Sequence, residues 1–130
     1  MSRDLEDLTR LGYAWFNEER EPPPWWLPDG EYINSTTDPD HATYSGIDAI
    51  TEQHQGWVDS YPDLRVEPLE IRVNGDRTFV WVRFTGHSAS GGVPLEMELA
   101  QVVTSEGMKI RRIEEFMDRD EGLTAAGLTD

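Results

Sequence analysis

The hydrophobic period of this chain changes once, at Pro62-Asp63, and that change limits the folds open to it. Before it, apolar residues recur at helical spacing. After it they alternate as in strands. From Asp4 to Glu19 the stripe is Leu5, Leu8, Leu11, Trp15 and Phe16, with Asp4, Glu6 and Asp7 in the first turn, where the helix dipole favours negative charge. Pro22-Pro23-Pro24 ends that helix. A second stripe, Ile47, Ile50, His54, Trp57, Val58 and Tyr61, predicts a helix over 47–60. Past Pro62-Asp63, Leu69, Ile71 and Val73 alternate with Glu70, Arg72 and Asn74, and Asn74-Gly75 signals a hairpin. Thr78 to Thr85 is apolar on both faces, as a central strand would be. Leu95 to Thr104 and Lys109 to Asp118 read as two further strands.

Between the helices, Trp25-Trp26-Leu27-Pro28 is expected to form one helical turn and Glu31 to Asn34 a short strand. Residues 35–45 are polar and loop-like, placed to overhang a cavity mouth. A short helix is expected around Leu123 to Ala126. The order of helix, short strand, helix and four antiparallel strands predicts an α+β fold over a single domain, 1–130, with the helices on one face of a strongly curved antiparallel sheet.

Composition narrows the function. The net charge is −15 and Lys109 is the only lysine. Such a surface repels nucleic acid and anionic membranes, so neither is an expected partner. It fits a high-salt cytoplasm or an Arg-, Asp- and Glu-rich codon bias equally well. The absence of cysteine excludes disulfides, thiolate metal sites and cysteine nucleophiles. The charged start has no apolar leader segment, and no apolar run approaches the roughly 20 residues that span a membrane. The expected location is cytoplasmic. No phosphate loop, zinc spacing or nucleophile elbow is present, so no cofactor and no metal are expected. Five Trp, four Tyr and four Phe can line both a core and a modest cavity.

The last strand poses the functional question. Glu114 and Glu115 are adjacent, so one points outward and the other into the domain. Ile113 and Met117 share a face with Glu115.

Taken together, the chain resembles the SnoaL-like polyketide cyclases of the larger nuclear-transport-factor-2-like superfamily. The resemblance rests on the helix ending Trp15-Phe16-Asn17, on Ser45-Gly46-Ile47-Asp48-Ala49-Ile50, and on Trp57 followed by Tyr61-Pro62-Asp63-Leu64. It continues through Gly75-Asp76-Arg77 and Gly107-Met108-Lys109-Ile110 into Arg112-Ile113-Glu114-Glu115-Phe116-Met117-Asp118. It implies a cone-shaped fold, a curved sheet around about three helices with an internal pocket, and a homodimer. The superfamily hosts many activities on one scaffold.

In cyclases of this type an aspartate on the cavity side of the last strand is the acid/base. Glu115 falls at that place, one methylene longer, and the resemblance puts it inward. A carboxylate among apolar groups is suited to proton transfer beside a carbonyl. His54 is its candidate partner and Glu98 the second candidate acid. Tyr13, Trp15, Trp26, Tyr32, Trp57 and Met117 are candidate lining residues. The related ketosteroid isomerases need a carboxylate base and an acidic oxyanion donor, where this chain has Asn34 or Ser35 and Ala100, which argues against that activity. The expected function is therefore small-molecule binding, with acid/base chemistry on a small apolar carbonyl compound. The rival is a non-catalytic ligand-binding or dimerisation module of the same fold.

Overall fold

Helix α1 (Ser2–Glu19) buries Phe16 and turns its Leu5, Leu8 and Tyr13 side toward the sheet. The computed structural model describes residues 2–34 and 42–129. Strands β1 (Trp26–Ile33) and β2 (Thr43–Ser45) follow, then α2 (Ile47–Ser60) and four long strands, β3 (Arg65–Asn74), β4 (Arg77–His87), β5 (Pro94–Glu106) and β6 (Lys109–Phe116). A short helix, α3 (Arg119–Ala125), closes the described chain, with the Asp118 carboxylate capping it through the Asp120 N–H.

The six strands form one sheet in the order β2-β1-β6-β5-β4-β3. It is curved and unclosed, the cone shape anticipated above. The pairs from β3 to β6 are antiparallel, but β1 runs parallel to β6, so the sheet is mixed. Trp26 belongs to β1 instead of a helical turn. Two adjacent indoles favour an extended chain, and the Trp25 carbonyl accepts from the Ile110 N–H (2.9 Å), which starts the ladder with β6. The expected overhang at 35–45 falls mostly on residues 35–41, outside the described residues; Thr43–Ser45 is β2.

Both faces of the central strands are covered. Val80, Val82 and Phe84 of β4 and Leu99 and Val103 of β5 pack with Phe16, Ile50 and Tyr32 under α1 and α2. The alternate residues Phe79, Ala100 and Val102 pack with Leu123 and Ala126 of the C-terminal segment. The third helix therefore lies on the opposite face from the first two, which is why Thr78 to Thr85 is apolar on both sides. Gly122 makes that contact close: a Cβ there would stand 2.5 Å from the Ala100 Cβ.

Register shifts in β1 (between Trp26 and Glu31), β3 and β6 set the phase of the strands. In β3 the pairing shifts between Pro68 and Glu70, which leaves Leu69 at 41% exposure instead of inside. In β6 the shift lies at Arg111, because Thr104 pairs with Arg112 and Ser105 with Ile110. Ile110 and Ile113 thus both face α1 and α2, and the period of two runs unbroken from Ile113 to Glu115.

Candidate functional site

A cavity of about 90 Å³ lies between α1, α2 and the sheet. Its walls are mostly apolar: Leu5, Leu8, Phe16, Trp25, Trp57, Phe84 and Ile113 are among them. Trp26 stands on its β1 side, folded over Gly30, where a Cβ would come within 2.7 Å of the indole.

A hydrogen-bonded polar group spans β1, β5 and β6 at one side of the cavity. Gln101 of β5 pairs directly with Glu115 of β6, and Tyr32 of β1 pairs with Ile113, two residues earlier on β6. The three side chains therefore converge from neighbouring strands. The Tyr32 hydroxyl donates to Glu115 Oε2. Gln101 Nε2 donates to the Tyr32 hydroxyl (2.9 Å) and to Glu115 Oε2 (3.1 Å), and its Oε1 accepts from the Tyr13 hydroxyl of α1 (2.5 Å). Tyr32 is 4% exposed and Gln101 5%. Glu115 is half-buried, and a carboxylate drawn out of water needs such donors; this one receives at least two.

The electrostatics follow from burial. Desolvation, and then the charge of Glu115, pushes both the Tyr13 and the Tyr32 phenols well above their ordinary range. Both remain protonated donors across ordinary pH. His54, one turn past Ile50 on α2, donates from Nδ1 to the Ile50 carbonyl (2.8 Å). Its ring packs edge-on against Phe16 (5.6 Å) and Tyr32 (5.4 Å). Burial lowers its pKa to about 4, with the Ile50 bond opposing. It is thus neutral, and with Nδ1–H committed, Nε2 is an acceptor.

The residues singled out from sequence divide accordingly. Tyr13, Trp26, Tyr32, His54 and Trp57 line the cavity. Glu115 is on the concave side but stands behind Tyr32 and Gln101, outside the lining. Three arginines of the sheet pair with other carboxylates: Arg111 with Asp29 and Glu106, Arg112 with Glu31, Arg83 with Glu98.

Three expected lining residues lie off the cavity. Glu98 shares its face with Ala100 and Val102, the side packed by α3, and binds Trp81 Nε1 (2.9 Å) and Arg83 (3.0 Å). Met117 follows the end of β6 and is 44% exposed. Trp15 is turned away from Tyr13 on α1 and backs the cavity wall by packing edge-on against Trp25 (6.3 Å).

Sequence reasoning missed Gln101, the hub of the network. The available signal was a polar residue at an inward strand position between Leu99 and Val103. Among the described residues, no group of three or more His, Asp or Glu side chains is placed to hold a metal ion, and no helix is long and apolar enough to cross a membrane.

Comparison with known proteins is consistent with this geometry. A family model described as a SnoaL-like domain matches residues 25–113. No curated protein matches by sequence. Among solved structures, a hypothetical protein with a ketosteroid isomerase-like fold from Catenulispora acidiphila DSM 44928, in complex with trimethylamine, is similar at 18% identity and TM-score 0.73, covering 95% of this chain and 93% of that one. A candidate SnoaL-like polyketide cyclase from Jannaschia sp. CCS1 is similar at 14% identity and TM-score 0.71, over 88% and 85% of the two chains. TerC, co-crystallised with polyporic acid, is similar at 20% identity and TM-score 0.72, over 88% and 92%. At these identities the likeness establishes the shared fold alone.

Proposed function

We propose that this chain, which belongs to the SnoaL-like domain family, binds a small apolar carbonyl compound in the cavity and performs acid/base chemistry on it. The supporting observation is the half-buried Glu115 carboxylate held by Tyr32 and Gln101 at the edge of a mostly apolar cavity. Two structural neighbours were solved with small molecules, trimethylamine and polyporic acid, which is in keeping with ligand binding on this scaffold.

In this reading the proton-giving group of the ligand approaches Tyr32, whose hydroxyl lines the cavity, donates its hydrogen to Glu115 and presents a lone pair to the ligand. Glu115 takes or returns a proton by way of that phenol. His54 Nε2 accepts a hydrogen bond from the ligand's hydroxyl or enol form. The same reading makes the protein a cytoplasmic homodimer without a nucleic-acid partner, given its net charge of −15.

The test is a panel of small ketones, aldehydes and enones, followed by ligand-detected NMR and by turnover. At least one should bind and turn over. Glu115→Gln and Tyr32→Phe should then each lower turnover by roughly a hundredfold, the usual loss for one acid/base group. Unchanged turnover in Glu115→Gln would refute the acid/base role, and a panel without any binder would refute the ligand class. Binding without turnover would instead support the non-catalytic module, a reading favoured by a volume below the roughly 300 Å³ of common ligand pockets.

A further inference from the structure

His54 brings an unpartnered acceptor to the cavity. It gives its Nδ1 hydrogen to the Ile50 carbonyl, one turn back on its own helix (2.8 Å). That bond turns Nε2, on the far side of the ring, out of α2. The ring stands between Phe16 and Tyr32 and meets both at steep angles, 74° and 78°. In the neutral ring Nε2 carries a lone pair, and among the described residues nothing donates to it. Nor is it sealed from solvent, as the partnerless Trp15 Nε1 and Thr78 Oγ1 are. It therefore opens on the cavity that His54 lines.

Hydroxyl hydrogens of the lining are spent on other partners. The Tyr32 hydroxyl, on the ring 5.4 Å from that of His54, donates to Glu115. The Tyr13 hydroxyl donates to Gln101 Oε1 (2.5 Å) and the Thr9 hydroxyl to the Leu5 carbonyl (2.7 Å). An acceptor drawn out of water and left unpaired is costly, so a ligand that fills the cavity must bring the missing hydrogen. A carboxylate has none to give. An ammonium brings three, with a full charge to be desolvated between mostly apolar walls. A hydroxyl brings one hydrogen and no charge.

We propose that the ligand is an apolar carbonyl compound that also bears a hydroxyl, and that His54 Nε2, by accepting that hydroxyl's hydrogen, makes the cavity prefer hydroxyl to alkyl. This rests on the cavity being the ligand site proposed above and adds its substrate class. The hydroxyl belongs to the ligand as it binds and does not wait for an enol to form. A ketone without it leaves Nε2 either unpaired or holding a water molecule, and loses affinity accordingly. His54 is then the residue that sets specificity, whatever proton transfer takes place at Tyr32.

Two pairs of small ketones, each matched in size, serve as probes: 3-hydroxybutan-2-one with 3-methylbutan-2-one, and 4-hydroxycyclohexanone with 4-methylcyclohexanone. Trp25, Trp26 and Trp57 in the wall are the fluorescent reporters. In at least one pair the hydroxyl compound should bind about fivefold more tightly, the net effect of one neutral hydrogen bond. His54→Phe should abolish or reverse that preference, because the methyl is then the better fit to an apolar wall. A second readout needs no variant. In 15N-labelled native protein the Nε2 resonance of His54 should move with the preferred hydroxyl ketone and stay in place with its methyl partner. Methyl ketones that bind as tightly as their hydroxyl partners in both pairs overturn the inference and leave the carbonyl-binding reading intact. A preference that survives His54→Phe, or an Nε2 resonance indifferent to the hydroxyl, does the same. Failure of every ketone to bind overturns the underlying reading instead.

Discussion

His54 ties the stability of the cavity wall to pH, and the size of the effect can be worked out. Its pKa falls from 6.5 in the unfolded chain to about 4 in the folded one. The unfolded state therefore binds the proton more tightly than the native state. The stability associated with neutral His54 is fully present above pH 6.5 and is lost as pH falls from 6.5 through 4. At about 1.4 kcal/mol per unit, two and a half units correspond to about 3 kcal/mol, of which roughly 2 kcal/mol is gone by pH 5. Acidic side chains titrate over the same range and would obscure this in one protein alone. The informative quantity is the difference between the native chain and His54→Gln, measured by urea unfolding from pH 7.5 to pH 4.5. The variant loses packing against Phe16 and Tyr32 at every pH, a constant offset. On top of it, the native chain should lose roughly 2 kcal/mol relative to the variant between pH 7 and pH 5. A pH-independent difference would mean that His54 keeps an ordinary pKa. It would then be solvated or ion-paired, and its role as a neutral acceptor in the cavity would fall.

Two further predictions concern the scaffold. Asn17 bridges α1 to β3 through both polar atoms, Nδ2 to the Val66 carbonyl and Oδ1 from the Val66 N–H, each 2.8 Å; Asn17→Ala should cost about 1–3 kcal/mol in urea unfolding, and Asn17→Asp, which faces the carbonyl with a second acceptor, should do no better. Gly122→Ala and Gly56→Ala should shift Tm in opposite directions, because a Cβ at Gly122 meets Ala100 at 2.5 Å and Phe79 at 3.1 Å while nothing lies within 4 Å of one at Gly56; overpacking costs about 1–3 kcal/mol and the helix gain is about 1 kcal/mol, so a stabilising Gly122→Ala would disprove the packing of α3 on the sheet.

The elements governed by local patterns were legible in the sequence. The Ile47 to Tyr61 stripe yields α2 (Ile47–Ser60), and Asn74-Gly75 yields the β3–β4 turn, with Gly75 at φ 63°. What escaped was set by distant partners. The parallel pairing of β1 with β6 joins segments some eighty residues apart, and nothing near Trp26 announces it. The bulge that exposes Leu69 lies where the alternation changes phase, from Val66 and Pro68 to Leu69, Ile71 and Val73, but which residue is extruded is set by the pairing with β4. Glu98, read as a second candidate acid, stands on the face of Ala100 and Val102, and only the position of α3 reveals that this is the outer face. Gln101 went unremarked because it reads as an interruption of an apolar strand. Its meaning depends on Tyr13, Tyr32 and Glu115, which reach it from distant parts of the chain.

The network also constrains how a carboxylate here can act. Glu115 has Tyr32 and Gln101 between it and the cavity, so a ligand meets the phenol before the carboxylate. The phenol's raised pKa keeps its proton in place while Glu115 is charged, and its one hydrogen is committed to Glu115. A proton moved from ligand to Glu115 must therefore be relayed, with Tyr32 accepting as it donates. A carboxylate in direct contact would survive Tyr32→Phe; a relay would not. Tyr32→Phe removes the bridge but leaves Gln101 Nε2 on Glu115, so the carboxylate keeps a donor. Loss of turnover in that variant with ligand affinity largely retained is the signature that separates relay from direct abstraction.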